Sequence, residues 1–329
     1  MNCYRVHDTV SGTTWRVNAG ETVLEAALRE GYLFPHHCRN AVCGTCKGRI
    51  LEGQVTYKDL LFGISDAERE EGWALFCAAY PQSDLLIQVD GLVSHLQFSV
   101  KRLMYSVHLL QAITPEILRV IFKPPANDFI QYYAGQYIEV LRKDTNPLPF
   151  SIANAPFEEK YIELHIRVSE PAAKALLDHL QATGTVSLAG PYGHCIYANP
   201  TSLPTILLAG GTGFAPCKAV IEMALAEGLL QPLILYWGAK TFADLYFHTE
   251  LTRWAEAIPH FHYIPVLSEA HWQGRMGLVH EAVINDYKDL SAQHIYAAGP
   301  PEMIYAAQKA FIARGLPRFL FQTDLADLR

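Results

Sequence analysis

Cys38-Arg39-Asn40-Ala41-Val42-Cys43-Gly44-Thr45-Cys46 is the stretch on which the reading of this chain turns. Its cysteines follow a Cys-x4-Cys-x2-Cys spacing, and a fourth, Cys77, lies within Trp73-Ala74-Leu75-Phe76-Cys77-Ala78-Ala79. Two irons bridged by two sulfides need thiolates converging on a compact rhomb, three from one tight loop and one from elsewhere. The spacing is that of a [2Fe–2S] site with Cys38, Cys43, Cys46 and Cys77 as ligands. Gly44 and Gly48 are expected to let backbone amides turn inward toward the cluster sulfurs. Structural zinc favours two short Cys-x2-4-Cys pairs, and only one is present. His36 and His37 read as loop residues, and the isolated Cys3, Cys195 and Cys217 as small buried hydrophobes.

The rest of the chain suits an ordinary globular protein of two or three domains. Of its 329 residues, 50% are apolar and 18% charged. A net charge of −7, with no basic stripe, argues against a nucleic-acid partner. No apolar run approaches the roughly 18 residues of a membrane span. The segment Met1–His7 lacks the apolar core of a signal peptide, so seven cysteines are expected in a reducing, cytoplasmic setting, as metal ligands rather than disulfides. The acidic run Asp66–Glu71 reads as a solvated helix face.

Three modules follow in order. Residues 1–92 carry the cysteine loop, a hairpin signal around Ser11-Gly12 and a helix over Glu21–Glu30 stopped by Gly31. This module resembles the β-grasp fold of plant-type ferredoxins. A connector covers Asp90–Lys101. Residues 102–199 read as six short strands, Tyr105–Leu110, Ile117–Phe122, Tyr137–Leu141, Phe150–Ala153, Tyr161–Val168 and Thr185–Leu188, with one helix at Ala172–Leu180. Such spacing predicts a six-stranded antiparallel barrel. Residues 200–329 switch to strand–helix alternation. Strands at Thr205–Ala209, Leu233–Trp237, Tyr263–Leu267, His294–Ala298 and Phe319–Gln322 are separated by helices at Phe214–Glu227, Asp244–Ala257, Leu278–Tyr287 and Glu302–Arg314. That pattern predicts a doubly wound parallel sheet, which binds ligands at the carboxyl ends of its strands. The fold class expected is thus multidomain, α+β followed by α/β.

Gly210-Gly211-Thr212-Gly213-Phe214-Ala215-Pro216 links the first of these strands to its helix. Glycines there let a pyrophosphate approach the backbone at a helix N-terminus. Ala298-Gly299-Pro300-Pro301-Glu302-Met303 occupies the matching place after the fourth strand, and Tyr236-Trp237-Gly238 ends the second. Together these resemble the Gly-Gly-Thr-Gly and Cys-Gly-Pro-Pro motifs of the ferredoxin–NAD(P) reductase family. The resemblance implies nicotinamide-nucleotide binding by Gly210, Gly211, Thr212, Gly213, Pro216, Trp237, Gly238, Gly299, Pro300 and Pro301. Lys240 is one cation near the adenosine end, but Asp244 would oppose a phosphate and no Arg is present, which favours NADH.

In the barrel, Gly135-Gln136-Tyr137, Leu148-Pro149-Phe150-Ser151-Ile152, Leu164-His165-Ile166-Arg167 and Gly190-Pro191-Tyr192-Gly193 match further family segments. The resemblance implies FAD, with FMN as the alternative. It places Gly135, Gln136, Tyr137, Phe150, Ser151, Ile152, His165 and Arg167 around the flavin, with Phe150 against its ring and Ser151 beside N5 as catalytic residues. The chain departs from the family in four places. Leu148 stands where an Arg binds flavin phosphate; Val168-Ser169-Glu170-Pro171-Ala172-Ala173-Lys174 lacks paired glycines. The end, Phe321–Arg329, has no terminal aromatic, and Ala298 replaces a Cys. Arg167 or Lys174 is a candidate replacement cation.

This module order resembles reductase components of bacterial multicomponent oxygenases and the CDP-6-deoxyglucoseen reductase. It implies electron flow from NADH to FAD to [2Fe–2S] to a partner protein, an oxygenase or hydroxylase component. A flavin is needed because nicotinamide gives two electrons together and the cluster accepts one. Two alternatives stay open: delivery to a deoxysugar dehydratase, or a non-enzymatic electron-transfer or redox-sensing module whose flavin site has decayed.

Overall fold

The computed structural model describes residues 3–32, 34–36, 39–42, 44–58, 60–90, 92, 98–142, 146–157, 160–169, 171–193, 195–197, 203–228, 231–269 and 272–323. The chain divides into two compact units, Met1–Gln97 with Pro317–Phe319, and Phe98–Leu316 with Leu320–Arg329.

In the first unit, β1 (Tyr4–Asp8) and β2 (Thr14–Val17) form the expected hairpin, and Asp8 accepts from the N–H and hydroxyl of Ser11 at its tip. Helix α1 (Val23–Arg29) starts on a capping box, in which Thr22 accepts from Glu25 N–H and Glu25 accepts from Thr22 N–H. Its Val23, Leu24, Ala26 and Ala27 are buried against Trp15, Phe34 and Phe76. Strands β3 (Lys47–Glu52), β4 (Val55–Thr56), β5 (Trp73–Leu75), β6 (Tyr80–Pro81) and β7 (Leu85–Gln88) complete the unit. The main sheet runs β2-β1-β7-β3-β5. Among the described residues only β1 and β7 pair in parallel in this sheet, the mixed pattern of a grasping sheet with α1 against it. The acidic run forms α2 (Asp66–Glu70), which buries no residue, as its composition predicts. Half of the connector Asp90–Lys101 lies outside the described residues, and its final residue opens a strand.

The second unit holds two sheets. Strands β8 (Lys101–Ala112), β9 (Ile117–Lys123), β10 (Tyr137–Leu141), β11 (Leu148–Ser151), β12 (Ile162–Arg167) and β13 (Thr185–Tyr192) form an antiparallel sheet in the order β11-β10-β13-β8-β9-β12. It curls into a nearly closed barrel around Tyr105, Phe122, Ile138 and Leu164. Helix α3 (Pro171–Thr183) lies between β12 and β13 and buries Ala173, Leu176 and Leu180. The strand expected at Phe150–Ala153 falls two residues earlier, because Leu148–Ser151 pairs with Tyr137–Val140 and Ile152 onward leaves the ladder.

The remaining elements alternate: β14 (Thr205–Gly210), α4 (Phe214–Ala226), β15 (Leu233–Ala239), α5 (His248–Ala257), β16 (Phe261–Leu267), β17 (Arg275–Met276), α6 (Val279–Asp286), β18 (His294–Ala298), α7 (Pro301–Ile312) and β19 (Phe321–Thr323). Their sheet is parallel throughout, in the order β17-β16-β15-β14-β18-β19. Period-2 alternation divides it between two cores. Leu207, Leu235 and Trp237 pack with α4 and α5, while Ile206, Ile234 and Tyr236 pack with α6 and α7. Helix α5 begins four residues later than its sequence pattern predicts. Asp244 instead accepts from the N–H and hydroxyl of Thr241, closing a tight turn ahead of the helix. No helix among the described residues is long and apolar enough to cross a membrane.

Candidate active site

The cluster loop begins with the sulfurs. Cys38 and Cys43 lie outside the described residues. Cys46 and Cys77 are both buried, and the Cys77 N–H donates to Cys46 Sγ at 3.4 Å. The Cys77 thiol is drawn down to about 7, foremost by a hydrogen bond from the Cys46 side chain. Burial opposes this, and the backbone amides of Ala41 and Cys77 assist it. Loop backbone at Arg39, Ala41 and Gly44 has positive φ, and the Ala41 carbonyl accepts from the N–H groups of Phe62 and Gly63. Two facing thiols with amides aimed at sulfur fit thiolate ligation of a cluster. Gly48 differs from the sequence expectation. It lies within β3 and does not turn inward; a Cβ there would meet Gln88 O and Phe76 Cε2, both at 2.7 Å.

In the second unit one cleft of about 960 Å³ collects most of the other candidates. Its barrel wall carries Leu148, Phe150, Ser151, His165 and Arg167; its sheet wall carries Gly210–Gly213, Gly238, Gly299 and Pro300. These sheet residues follow the carboxyl ends of β14, β15 and β18, where a doubly wound sheet binds ligands. The two glycine motifs also touch each other. A Cβ on Gly213 would lie 2.2 Å from Ala298 O, and one on Gly210 would meet Met303 Sδ at 2.6 Å. Only bare backbone fits there, leaving a cradle for a pyrophosphate. Its volume suits a nucleotide-sized ligand.

Several sequence candidates support this cleft from behind. Trp237 is fully buried; its Nε1–H donates to Gly211 O at 3.0 Å, and its ring stacks on Phe214 with centroids 4.2 Å apart. Gln136 is also buried, donating to Gly193 O at 3.0 Å and accepting from Tyr133 N–H at 2.8 Å. Tyr137 packs its ring on Tyr192, and Ile152 and Pro216 are core residues. Gly135 sits in the turn before β10, Pro301 opens α7, and Lys174 is exposed on α3; none of these lines the cleft. Arg167 does line it. Its Nη2 lies within 3.5 Å of where a Gly211 Cβ would be, and Nη1 pairs with Glu116 at 2.8 Å. Leu148 and Phe150 give this wall an apolar face, and Arg167 is a cation on the barrel side of the cleft. The chain's last residues, 324–329, lie outside the described residues.

Sequence reasoning missed a buried charge cluster beside the cleft. Lys218, on α4, is 2% exposed. It donates to Ala153 O at 3.0 Å and Glu222 Oε1 at 2.6 Å, and lies 3.4 Å from Glu163 Oε1. Glu222 in turn accepts from Ala155 N–H at 2.9 Å. Glu163 also accepts from Arg119 at 2.9 Å and contacts His165 Nε2 at 2.9 Å, while His165 Nδ1 meets the Tyr246 hydroxyl at 3.0 Å. Burial pushes the Glu163 carboxyl up, but His165, Lys218 and Arg119 together hold it well below the usual range. Burial lowers His165 despite its carboxylate partner. One signal was visible: a Lys and a Glu at i, i+4 inside the otherwise apolar run Phe214-Ala215-Pro216-Cys217-Lys218-Ala219-Val220-Ile221-Glu222.

Glycine turns facing an aromatic–hydroxyl strand across one cleft define the class, a nicotinamide-dependent flavoprotein oxidoreductase joined to an iron–sulfur module. The comparisons agree. The 2Fe-2S iron-sulfur cluster binding domain family matches residues 6–82, and the oxidoreductase NAD-binding domain family residues 207–309. The CDP-6-deoxy-L-threo-D-glycero-4-hexulose-3-dehydrase reductase of Yersinia pestis is 32% identical over 321 residues, covering 95% of each chain. The phenol hydroxylase P5 protein of Acinetobacter pittii is 33% identical, covering 98% of this chain and 93% of its own. Among solved structures, the Amycolatopsis cytochrome P450 reductase GcoB matches with a TM-score of 0.67 and 30% identity over 98% of both chains. The chain belongs to this family of iron–sulfur flavoprotein reductases. It is an NADH-dependent oxidoreductase that moves electrons from nicotinamide through FAD to a [2Fe–2S] cluster.

Proposed function

We propose that this reductase delivers its electrons to a separate cytoplasmic protein, an oxygenase or hydroxylase component. The observation that carries the reading is the single cleft with Phe150 and Ser151 on one wall and Gly210–Gly213 with Gly299 on the other. Bound there, the flavin would accept two electrons from nicotinamide and release them singly. Phe150 would pack on its ring, Ser151 would offer it a hydroxyl, and Arg167 would supply the cation missing at Leu148. Gly210, Gly211, Thr212 and Gly213 receive the nicotinamide pyrophosphate. Close packing of the two glycine motifs excludes water from behind it. Cys38, Cys43, Cys46 and Cys77 hold the cluster. Thiolate ligands are best kept in a reducing compartment, which supports the cytoplasmic location.

The oxygenase partner is supported by the likeness to the phenol hydroxylase P5 protein. The Yersinia likeness supports a second reading, in which the acceptor is a deoxysugar dehydratase. Mixing purified reductase and NADH with each candidate acceptor under anaerobic conditions separates them. The oxygenase reading expects acceptor reduction faster than autoxidation of the reductase; no transfer to any oxygenase component would reject it.

A further inference from the structure

In a doubly wound sheet whose first turn holds the pyrophosphate, the adenosine ribose sits at the end of the second strand. Here that place is the segment after β15. Lys240, Asp244 and Ser268 line the cleft there. Two backbone bonds zip this segment to the end of β16: Ser268 N–H to Ala239 O at 2.9 Å and Glu269 N–H to Lys240 O at 3.1 Å. The register brings Glu269 Oε1 to 3.1 Å from Lys240 Nζ. Asp244 spends Oδ2 on the N–H and hydroxyl of Thr241, both at 2.9 Å, and Oδ1 is left to accept from a ribose hydroxyl. The other nearby cation, Arg275, is held by Asp286 at 2.7 Å and donates to Ala282 O.

We propose that Glu269 is a specificity-determining residue: by pairing with Lys240 it withdraws that cation from the adenosine 2′ position, so the site takes a nucleotide with a free 2′-hydroxyl and rejects a 2′-phosphate. The charges at this rim are Lys240, Asp244 and Glu269, and His280 lines the cleft from the facing helix. Their sum is negative. A 2′-phosphate meets Asp244 and a cation already neutralised, whereas a hydroxyl meets an acceptor. Both partners are solvent-exposed, so the pair adds little to stability. Its consequence is for the ligand.

The inference rests on the nucleotide occupying this cleft, and the test separates the two. Binding of ADP and of 2′,5′-ADP to the full-length holoprotein is measured by calorimetry for wild type, Glu269→Gln and Lys240→Ala/Glu269→Gln. kcat/KM for NADH and NADPH is measured on the same proteins. One freed charge-assisted bond predicts that Glu269→Gln tightens 2′,5′-ADP about tenfold and raises the NADPH:NADH ratio of kcat/KM about tenfold. ADP should move less than about threefold, and the gain should vanish in the double variant. Unchanged 2′,5′-ADP binding, an equal gain for ADP, or a gain that survives loss of Lys240 overturns the proposal while leaving the NADH reading in place. Failure of wild type to bind ADP and to be reduced by NADH overturns both.

Discussion

Replacing Lys218 with Met removes the central cation of the cluster that ties α4 to the backbone beyond Ser151. The ammonium is lost from Ala153 O, 3.0 Å away, and from the carboxylates of Glu222 and Glu163 at 2.6 and 3.4 Å. Removing one partner of a buried ion pair typically destabilises by about 3–5 kcal/mol. The lower end applies, because Glu163 keeps Arg119 and His165 and Glu222 keeps the Ala155 N–H. About 3 kcal/mol, in a unit of this size, lowers Tm by roughly 6–12 °C. Thermal unfolding of the purified holoprotein, followed by circular dichroism, reads this directly. The same change frees the Ile152–Ala155 segment, which directly follows Ser151, to shift against the glycine turn at the start of α4. A misplacement near 1 Å costs up to about 100-fold in rate. Flavin reduction by NADH should therefore slow by roughly ten- to a hundredfold, with KM for NADH changed far less. A Tm drop below 2 °C with an unaltered rate of reduction would refute the reasoning.

Leu148→Arg restores a phosphate ligand to the cleft wall and should tighten FAD binding about ten- to a hundredfold in a fluorescence titration, the range for one charge-assisted bond. Arg167→Ala should weaken it by a similar factor; equal affinities in all three proteins would deny both residues a role. Gly213→Ala pushes a methyl to 2.2 Å from Ala298 O and should raise KM for NADH at least tenfold, with the cluster spectrum intact. Acid sensitivity follows from two histidines whose protonation is opposed by desolvation, which lowers the buried His165 and holds the half-buried His294 at about 4. The unfolded chain, with a His value of about 6.5, then binds more protons. Stability is full above about pH 6.5 and is lost as pH falls through the folded values, on the order of 2 kcal/mol at pH 5 for His294 alone. His294→Gln should flatten the slope of Tm between pH 7 and 5, and a slope equal to wild type contradicts this.

Local periodicity carried most of the fold. Each strand–helix alternation after Thr205 announced one element of the parallel sheet, and Gly210–Gly213 and Gly299-Pro300 named the turns that meet across it. Apart from the late start of α5, which a local Thr241–Asp244 turn causes, the errors share a cause, which is pairing at a distance. Strand β11 begins at Leu148 because Val140 lies opposite, a fact of register and not of local composition. Gly48 was expected to turn amides toward the cluster, but Gln88 on β7 and Phe76 just past β5 determine its need for no side chain. The roles of Gln136 and Trp237 were likewise hidden: a motif match marks their position near a ligand but does not distinguish lining the cleft from bracing it. The Lys218–Glu163–His165 cluster joins two elements far apart in sequence, β12 and α4, so only an unusual Lys in an apolar helix hinted at it. Lys240 was visible as a cation, but its partner Glu269 required the β15–β16 pairing.

Anaerobic titration of the purified protein with NADH, followed by visible absorbance and electron paramagnetic resonance, tests the electron path most directly. The account predicts that NADH bleaches the flavin bands and then yields the axial or rhombic signal of a reduced [2Fe–2S] cluster, and that Cys46→Ser or Cys77→Ser abolishes the signal while flavin bleaching persists. A protein that holds iron and sulfide but shows no flavin bleaching and no cluster reduction on adding NADH would contradict it.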